Sequence, residues 1–276
     1  MTSRELAEFV ARHVELLLGV VALLLLLLTG VVWAAIQRWM PPLFARIAPF
    51  WQLLDARGVA ARYLGWHAAI AFVVVACGAG AFVELADEIG AGEDLGDFDA
   101  LLAAAMQRHL ADGTLRVAGV LTHLGDPELL IPAAAVVALL LFWRREWLLA
   151  WSWVAGTGGG ALLNRLLKAL FERSRPEHSH GFATADGYSF PSGHASGAML
   201  VFGLGAYFLV RQTPPRWHLP VTFAALLLIV FVGSSRVLLQ VHYLSDVLAG
   251  WLVAASWIAL CVAGLEALRL GARRRA

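Results

Sequence analysis

The chain has 276 residues, 60% of them hydrophobic and only 15% charged, with a formal net charge of +1. A soluble domain usually carries about a quarter charged residues, so the composition excludes an ordinary soluble protein, and so even a charge balance gives no reason to expect a nucleic-acid partner. The two cysteines, Cys77 and Cys261, lie in apolar runs and read as small buried hydrophobes, not as a disulfide framework or a metal site.

A membrane span needs roughly 20 apolar residues. Seven runs fit, at about 15–37, 64–84, 127–143, 147–169, 194–211, 219–236 and 242–265. The third is short and contains Pro132. The expected fold class is therefore all-α, a polytopic membrane helix bundle. Two-residue alternation and barrel-strand lengths are missing, which argues against strands. The first run is longer than the roughly 7–15 apolar residues of a signal peptide, and the segment before it carries three acids beside two arginines. It reads as an uncleaved span.

Arg and Lys in the connections set the orientation. The 38–63 loop, Arg144 and Arg145, Arg211 and Arg216, and the tail with Arg269 and Arg273 to Arg275 together hold 12 arginines and three acids. That set is expected in the cytoplasm. The N-terminus, the acidic 84–99 stretch, the 170–193 loop and the 236–242 turn then face outward. In the long 84–126 connection, "FDALLAAAMQRHL" (98–110) has apolar residues at helical spacing. Two readings stay open for it, an interfacial helix on the outer leaflet or a helix capping the bundle.

Three polar clusters fall on the outward side: "KALFERSRP" with Lys168, Arg175 and Pro176; "PSGH", Pro191 to His194; and "SRVLLQVHYLSD" with Ser235, Arg236, His242 and Asp246. Taken singly, each has an ordinary explanation. Arg173 reads as a side chain snorkelling to headgroups. His13, His67, His109, His123, His178, His180 and His218 read as solvated or satisfied residues. A Pro-Ser-Gly turn is first of all a helix start.

Their conjunction points to chemistry. His242 and Asp246 are four apart and share one helix face, so the carboxylate can fix the imidazole tautomer and leave the other nitrogen as a nucleophile. Asp246 lies about one turn inside an apolar span and needs a partner, His242 being the nearest in sequence. Ser192, Gly193 and His194 begin a helix, where free N–H groups bind anions and glycine permits close approach. Arg175 and Arg236 can fork onto phosphate oxygens, with Lys168 as a point charge. The set suits phosphoryl transfer through a phosphohistidine. Three cations aimed at one place would repel a divalent ion, so no metal and no cofactor are expected.

These residues resemble the signature of the type 2 phosphatidic acid phosphatase superfamily, which includes lipid phosphatases and vanadium haloperoxidases: K-x6-R-P, then P-S-G-H, then S-R-x5-H-x3-D. Lys168 with Arg175-Pro176, Pro191 to His194, and Ser235-Arg236 with His242 and Asp246 match in order and spacing. The resemblance implies a six-helix membrane core over 64–276, with residues 1–63 as an added N-terminal transmembrane helix and basic cytoplasmic loop. It implies His242 as nucleophile, Asp246 as the residue orienting it, and His194 as general acid. Lys168, Arg175, Ser192, Gly193 and Arg236 would bind the phosphate.

The implied activity is metal-free hydrolysis of a lipid phosphate monoester or diphosphate, of the undecaprenyl diphosphate, phosphatidylglycerol phosphate, phosphatidic acid or lipid A phosphate class. The implied place is a bacterial inner membrane, with the site facing the periplasm or exterior. A phosphotransferase passing the group to another lipid would share the signature. A transporter is the reading from another class, but the charges gather at one face and form no path across the midplane. A vanadium haloperoxidase is disfavoured by the membrane-embedded chain.

Overall fold

The structure, a computed structural model, describes residues 2–54, 58–90, 92–177 and 181–273, without the side chains of 40–67 and 270–273. Among the described residues all regular structure is helical. Thr2 opens α1 (Ser3–Arg12) as the start of a Thr-x-x-Glu box. Its hydroxyl accepts from Glu5 N and its own N–H donates to Glu5 Oε2. A single-residue turn at His13 leads into α2 (Val14–Leu54), followed by α3 (Gly58–Asp87). The expected basic loop over 38–63 is thus mostly helix, in keeping with its content of Ala, Leu and Arg, which are good helix formers. The side chains of Arg46, Arg57 and Arg62, and those of the tail arginines 273–275, lie outside the described residues.

Two short helices follow, α4 (Asp94–His109) and α5 (Asp112–Thr122), then a 3₁₀ turn (His123–Gly125) and α6 (Pro127–Trp143). A π-helical turn, Ala155–Gly159, joins α7 (Trp147–Val154) to α8 (Gly160–Phe171). A second π turn, Met199–Gly203, joins α9 (Gly193–Ala198) to α10 (Leu204–Gln212). The chain closes with α11 (His218–Leu238) and α12 (Leu244–Arg273).

Among the described residues six rods are long and apolar enough to cross a membrane: Val14–Trp39, Ala68–Asp87, Asp112–Trp143, Gly193–Gln212, Pro215–Leu238 and Leu244–Arg269. The run expected at 147–169 is not among them. Its rod is long enough, but Trp147, Trp151, Trp153, Asn164 and the glycines at 156 and 158–160 lower its hydropathy. The third rod is longer than expected, because α5 extends it ahead of Pro127. The last begins at Leu244, which leaves His242 in the preceding turn.

Side-chain and backbone bonds bring one set of helix ends together. Ser192 N donates to Asp246 O, His194 meets Asp126, and Arg236 donates to Thr122. Phe82, near the end of α3, packs on Phe171 and Phe190. The opposite ends carry Arg144, Arg145, Arg211, Arg216 and Arg269. Two of these, Arg211 and Arg269, hold the buried Glu266 at 2.7 and 3.2 Å.

Over the first set of ends lies a cap. Ala7 and Ala11 of α1, Leu102, Ala105 and Met106 of α4, and Leu115 and Ala118 of α5 form one buried cluster with Val237 to Leu239, Val241 and Val247. The 98–110 stretch therefore caps the bundle. Glu8 fastens α1 to α4 through His109, at 2.6 Å, and Arg108, and these donors hold its carboxyl below the usual value. His109 is satisfied in this way, His13 bonds Phe9 O, and His218 bonds Thr213 O, as expected of satisfied histidines. His178, His180 and the side chain of His67 lie outside the described residues.

The Pro-Ser-Gly-His turn sits directly on α12, and Gly250 permits the approach. A Cβ at Gly250 would come 2.8 Å from Ser192 O and 3.3 Å from Ser196 N. Gly250→Ala should lower thermal stability in detergent by about 1–3 kcal/mol, the usual cost of overpacking. An unchanged unfolding temperature would show that the two elements are not in firm contact.

Candidate active site

Asp246, in the first turn of α12, is fully buried. Its Oδ2 accepts from Ser189 Oγ, from Tyr243 N at 2.9 Å and from His242 Nδ1 at 3.2 Å, and its Oδ1 accepts from Arg173 Nη1 at 2.8 Å. Four donors offset the cost of burying the charge. The bond to Nδ1 places the ring proton of His242 there and leaves the lone pair on Nε2. Arg175 Nη1 donates to that nitrogen at 3.1 Å. Burial, opposed by Asp246, pushes the His242 imidazole down to about 3, and the Arg175 and Lys168 charges act in the same downward sense. The ring is neutral near pH 7.

Arg173 does not snorkel. Its guanidinium bridges Asp246 and Asp99, the latter at 3.0 Å, donates to Ser245 Oγ at 2.7 Å and lies 4.3 Å over the Tyr243 ring. The reason is Asp99. The cap helix α4 plants a second buried carboxylate beside the first, and a planar fork can serve both. Ser245 donates its hydroxyl and its N–H to Asp99, which closes the network.

The three expected cations gather around His242. Lys168 Nζ donates to Tyr188 O at 2.6 Å and Ser189 O at 3.2 Å, and Arg175 donates to the carbonyls of Asp186, Gly187, Tyr188 and Val241. Arg236, at the end of α11, donates to Thr122 at 2.5 Å. Its Nε, like Asn164 Nδ2, is buried with no hydrogen-bond partner. Ser192 caps α9, accepting from Ala195 N at 3.4 Å. Gly193 faces α8, where a Cβ would meet Asn164 Oδ1 at 3.6 Å and Lys168 Cε at 3.8 Å.

His194 Nε2 lies 2.8 Å from Asp126 Oδ1. His123, expected to be solvated or satisfied, bonds the other oxygen of the same carboxylate at 2.6 Å. Asp99, Asp126, Arg173 and Ser189 were not among the expected site residues. Asp99 had a signal, being a lone acid on the apolar face of the 98–110 helix. Asp126 reads from sequence as a helix cap before Pro127. Among the described residues no three His, Cys, Asp or Glu side chains form a metal-binding group.

A cavity of about 630 Å³ opens beside His194 and Gly193. It runs between α6, α7, α8 and α9, past Asn164 and Arg165, to a wall of Leu130, Ala134, Ala138, Trp153 and Leu200. Away from its polar mouth the lining is apolar.

The profile of the PAP2 superfamily matches residues 147–269. A decaprenylphosphoryl-5-phosphoribose phosphatase of Mycobacterium tuberculosis is 35% identical over 157 residues, which cover 53% of this chain and 78% of that protein. The chain belongs to the PAP2 superfamily. Phosphatidylglycerophosphatase B of Bacillus subtilis is 38% identical to this PAP2 chain over 135 residues, covering 48% of the chain and 65%, just under two thirds, of that protein. A crystal structure of a transmembrane PAP2-type phosphatidylglycerolphosphate phosphatase from Bacillus subtilis superposes with a TM-score of 0.60 at 30% identity. That match covers 66% of this chain and 90% of the other.

The buried bridge gives a ranking. Arg173→Ala leaves two carboxylates without a counter-charge and should destabilise the protein by about 3–5 kcal/mol. Asp99→Asn removes only one of its two partners and should cost less. Thermal unfolding in detergent measures both. Equal stability of parent and Arg173→Ala would mean that the bridge contributes nothing.

Proposed function

We propose that the protein is an integral membrane lipid phosphatase that hydrolyses a lipid phosphate monoester or diphosphate through a phosphohistidine on His242. The observation that carries this reading is the His242 ring, neutral, held by Asp246 through Nδ1, with its Nε2 lone pair turned toward Arg175. The open donors on Arg236 and Asn164 support it, since buried polar groups without partners are rare and a bound phosphate would supply partners for these two. The cavity supports a lipid over a soluble ester, because its apolar wall begins where the site ends.

The His242 Nε2 attacks phosphorus and the bond to the leaving oxygen breaks. His194 protonates that oxygen, which belongs to the lipid or, in a diphosphate, to the remaining phosphate. Water then attacks the phosphohistidine while His194 takes its proton, and inorganic phosphate leaves. Lys168, Arg175, Arg236 and the N–H groups at Ser192 and Gly193 stabilise the charge on the transferring group. These cations would together repel a divalent ion, so the reaction is metal-independent.

The arginine-rich ends lie opposite the site, which supports a site facing the periplasm or exterior of a bacterial inner membrane. Residues 64–276 are the phosphatase core and residues 1–63 an addition to it. The names of the relatives favour phosphatidylglycerol phosphate and polyprenyl phosphates as substrates to try first.

Phosphate release in detergent from a panel of these lipids, with no acceptor lipid and with and without a chelator, tests the activity. Release without acceptor separates hydrolysis from phosphotransfer, and loss of release in chelator would overturn the metal-free mechanism. His242→Ala should abolish turnover in a folded protein. Asp246→Asn should cut the rate by roughly 10²–10⁴-fold by disturbing the tautomer. Near-parental turnover in His242→Ala would remove the nucleophile from this scheme.

A further inference from the structure

His194 has two tasks in this scheme, acid toward the leaving oxygen and base toward water, and both need a fixed ring. Asp126 is placed to fix it. It precedes Pro127 at the start of α6, where an aspartate ordinarily accepts from the first free N–H groups of its own helix. Here the side chain makes no capping bond. Both of its oxygens go to histidines instead, Oδ1 to His194 Nε2 at 2.8 Å and Oδ2 to His123 Nδ1 at 2.6 Å. The residue before it presses on the same ring. A Cβ at Gly125 would come 3.1 Å from His194 Cδ2 and 3.3 Å from its Cβ. The imidazole is therefore held at one nitrogen by a carboxylate and on one side by the 3₁₀ turn.

We infer that Asp126 is the positioning residue for His194, an inference that rests on the lipid phosphatase reading. Asp126 accepts the Nε2 proton, which leaves Nδ1 as the nitrogen that exchanges a proton with substrate. In the first step the P–N bond to His242 forms, the P–O bond to the lipid breaks, and the Nδ1 proton of the His194 imidazolium passes to the departing oxygen. In the second, the oxygen of water bonds to phosphorus, the P–N bond breaks back to His242, and a water proton returns to Nδ1. Asp126 supplies the counter-charge whenever the ring carries both protons and never takes one itself. His123, 74% exposed at its side chain, anchors the far oxygen of Asp126 from the solvent side.

The role predicts a contrast between leaving groups. An alkyl oxygen needs a proton as it departs, whereas a nitrophenolate does not. Two esters with the same hydrocarbon chain are compared, an alkyl phosphate and a nitrophenyl phosphate carrying the chain on its ring. Asp126→Asn should lower kcat/KM for the alkyl ester by roughly 10–100-fold, with most of the loss in kcat. For the aryl ester the loss should stay within about threefold, because step one no longer depends on the acid. Asp126→Glu should recover part of the alkyl rate. Equal losses on both esters would reduce Asp126 to a structural role, and parental rates on both would remove it from the mechanism. His194→Gln serves as the reference and should show the same contrast more steeply. If it shows none, the acid role of His194 fails and the inference about Asp126 falls with it. If the parent protein releases phosphate from neither ester, the lipid phosphatase reading fails.

Discussion

The whole end of the bundle that carries the site is arranged around one buried carboxylate. Asp246 cannot sit in the first turn of an apolar helix without donors, and supplying them constrains three separate stretches of chain. The turn before α12 gives Tyr243 N and the His242 ring. The loop between α8 and α9 gives Ser189 and Arg173. Arg173 brings its own requirement, a second carboxylate, and α4 meets it with Asp99. The cap helices are thus tied to the position of the proposed nucleophile through a chain of charge-assisted bonds. The tautomer of His242 is set by the same oxygen that Ser189 and Tyr243 N hold in place.

Much of this was legible in the sequence, and the part that was not has a physical reason. The spacing of four brought His242 to Asp246, although His242 lies in the turn before α12 and not on the helix, and Lys168 and Arg175 bracket one helix end. Local spacing carries such information. The spans were legible from apolar run length, except where Trp and Gly diluted the 147–169 run. Arg173 was not legible, because its partner Asp99 lies 74 residues away and an arginine at a helix end usually reaches for headgroups. Asp126 was hidden for the same reason, being 68 residues from His194 and placed where an aspartate normally caps. Ser189 stood two residues before a motif and looked like part of the turn. Pairings of this kind depend on tertiary packing, which no short window contains.

The fold also separates two demands that conflict in a membrane. Three cations and several acids must be kept together, yet charges at membrane depth are costly. Placing them all at rod ends reconciles the two, and the cavity between α6, α7, α8 and α9 then runs away from the charges into apolar surroundings. The π turns within the α7–α8 and α9–α10 rods lie beside that cavity, where a locally widened helix accommodates departures from regular packing.

Lys168 and Arg175 do not stand with bare charges. They rest on the main-chain carbonyls of 186–189. Those carbonyls are neutral and tethered, so they act as an internal rival at a fixed, high effective concentration. An anion taking both side chains fully would compete with them, and its departure would be helped by their return. Three cations facing a helix N-terminus could otherwise hold inorganic phosphate tightly enough to stall the site. In the proposed phosphatase the loop would turn that trap into an exchange, because the rival is always present and never diffuses away.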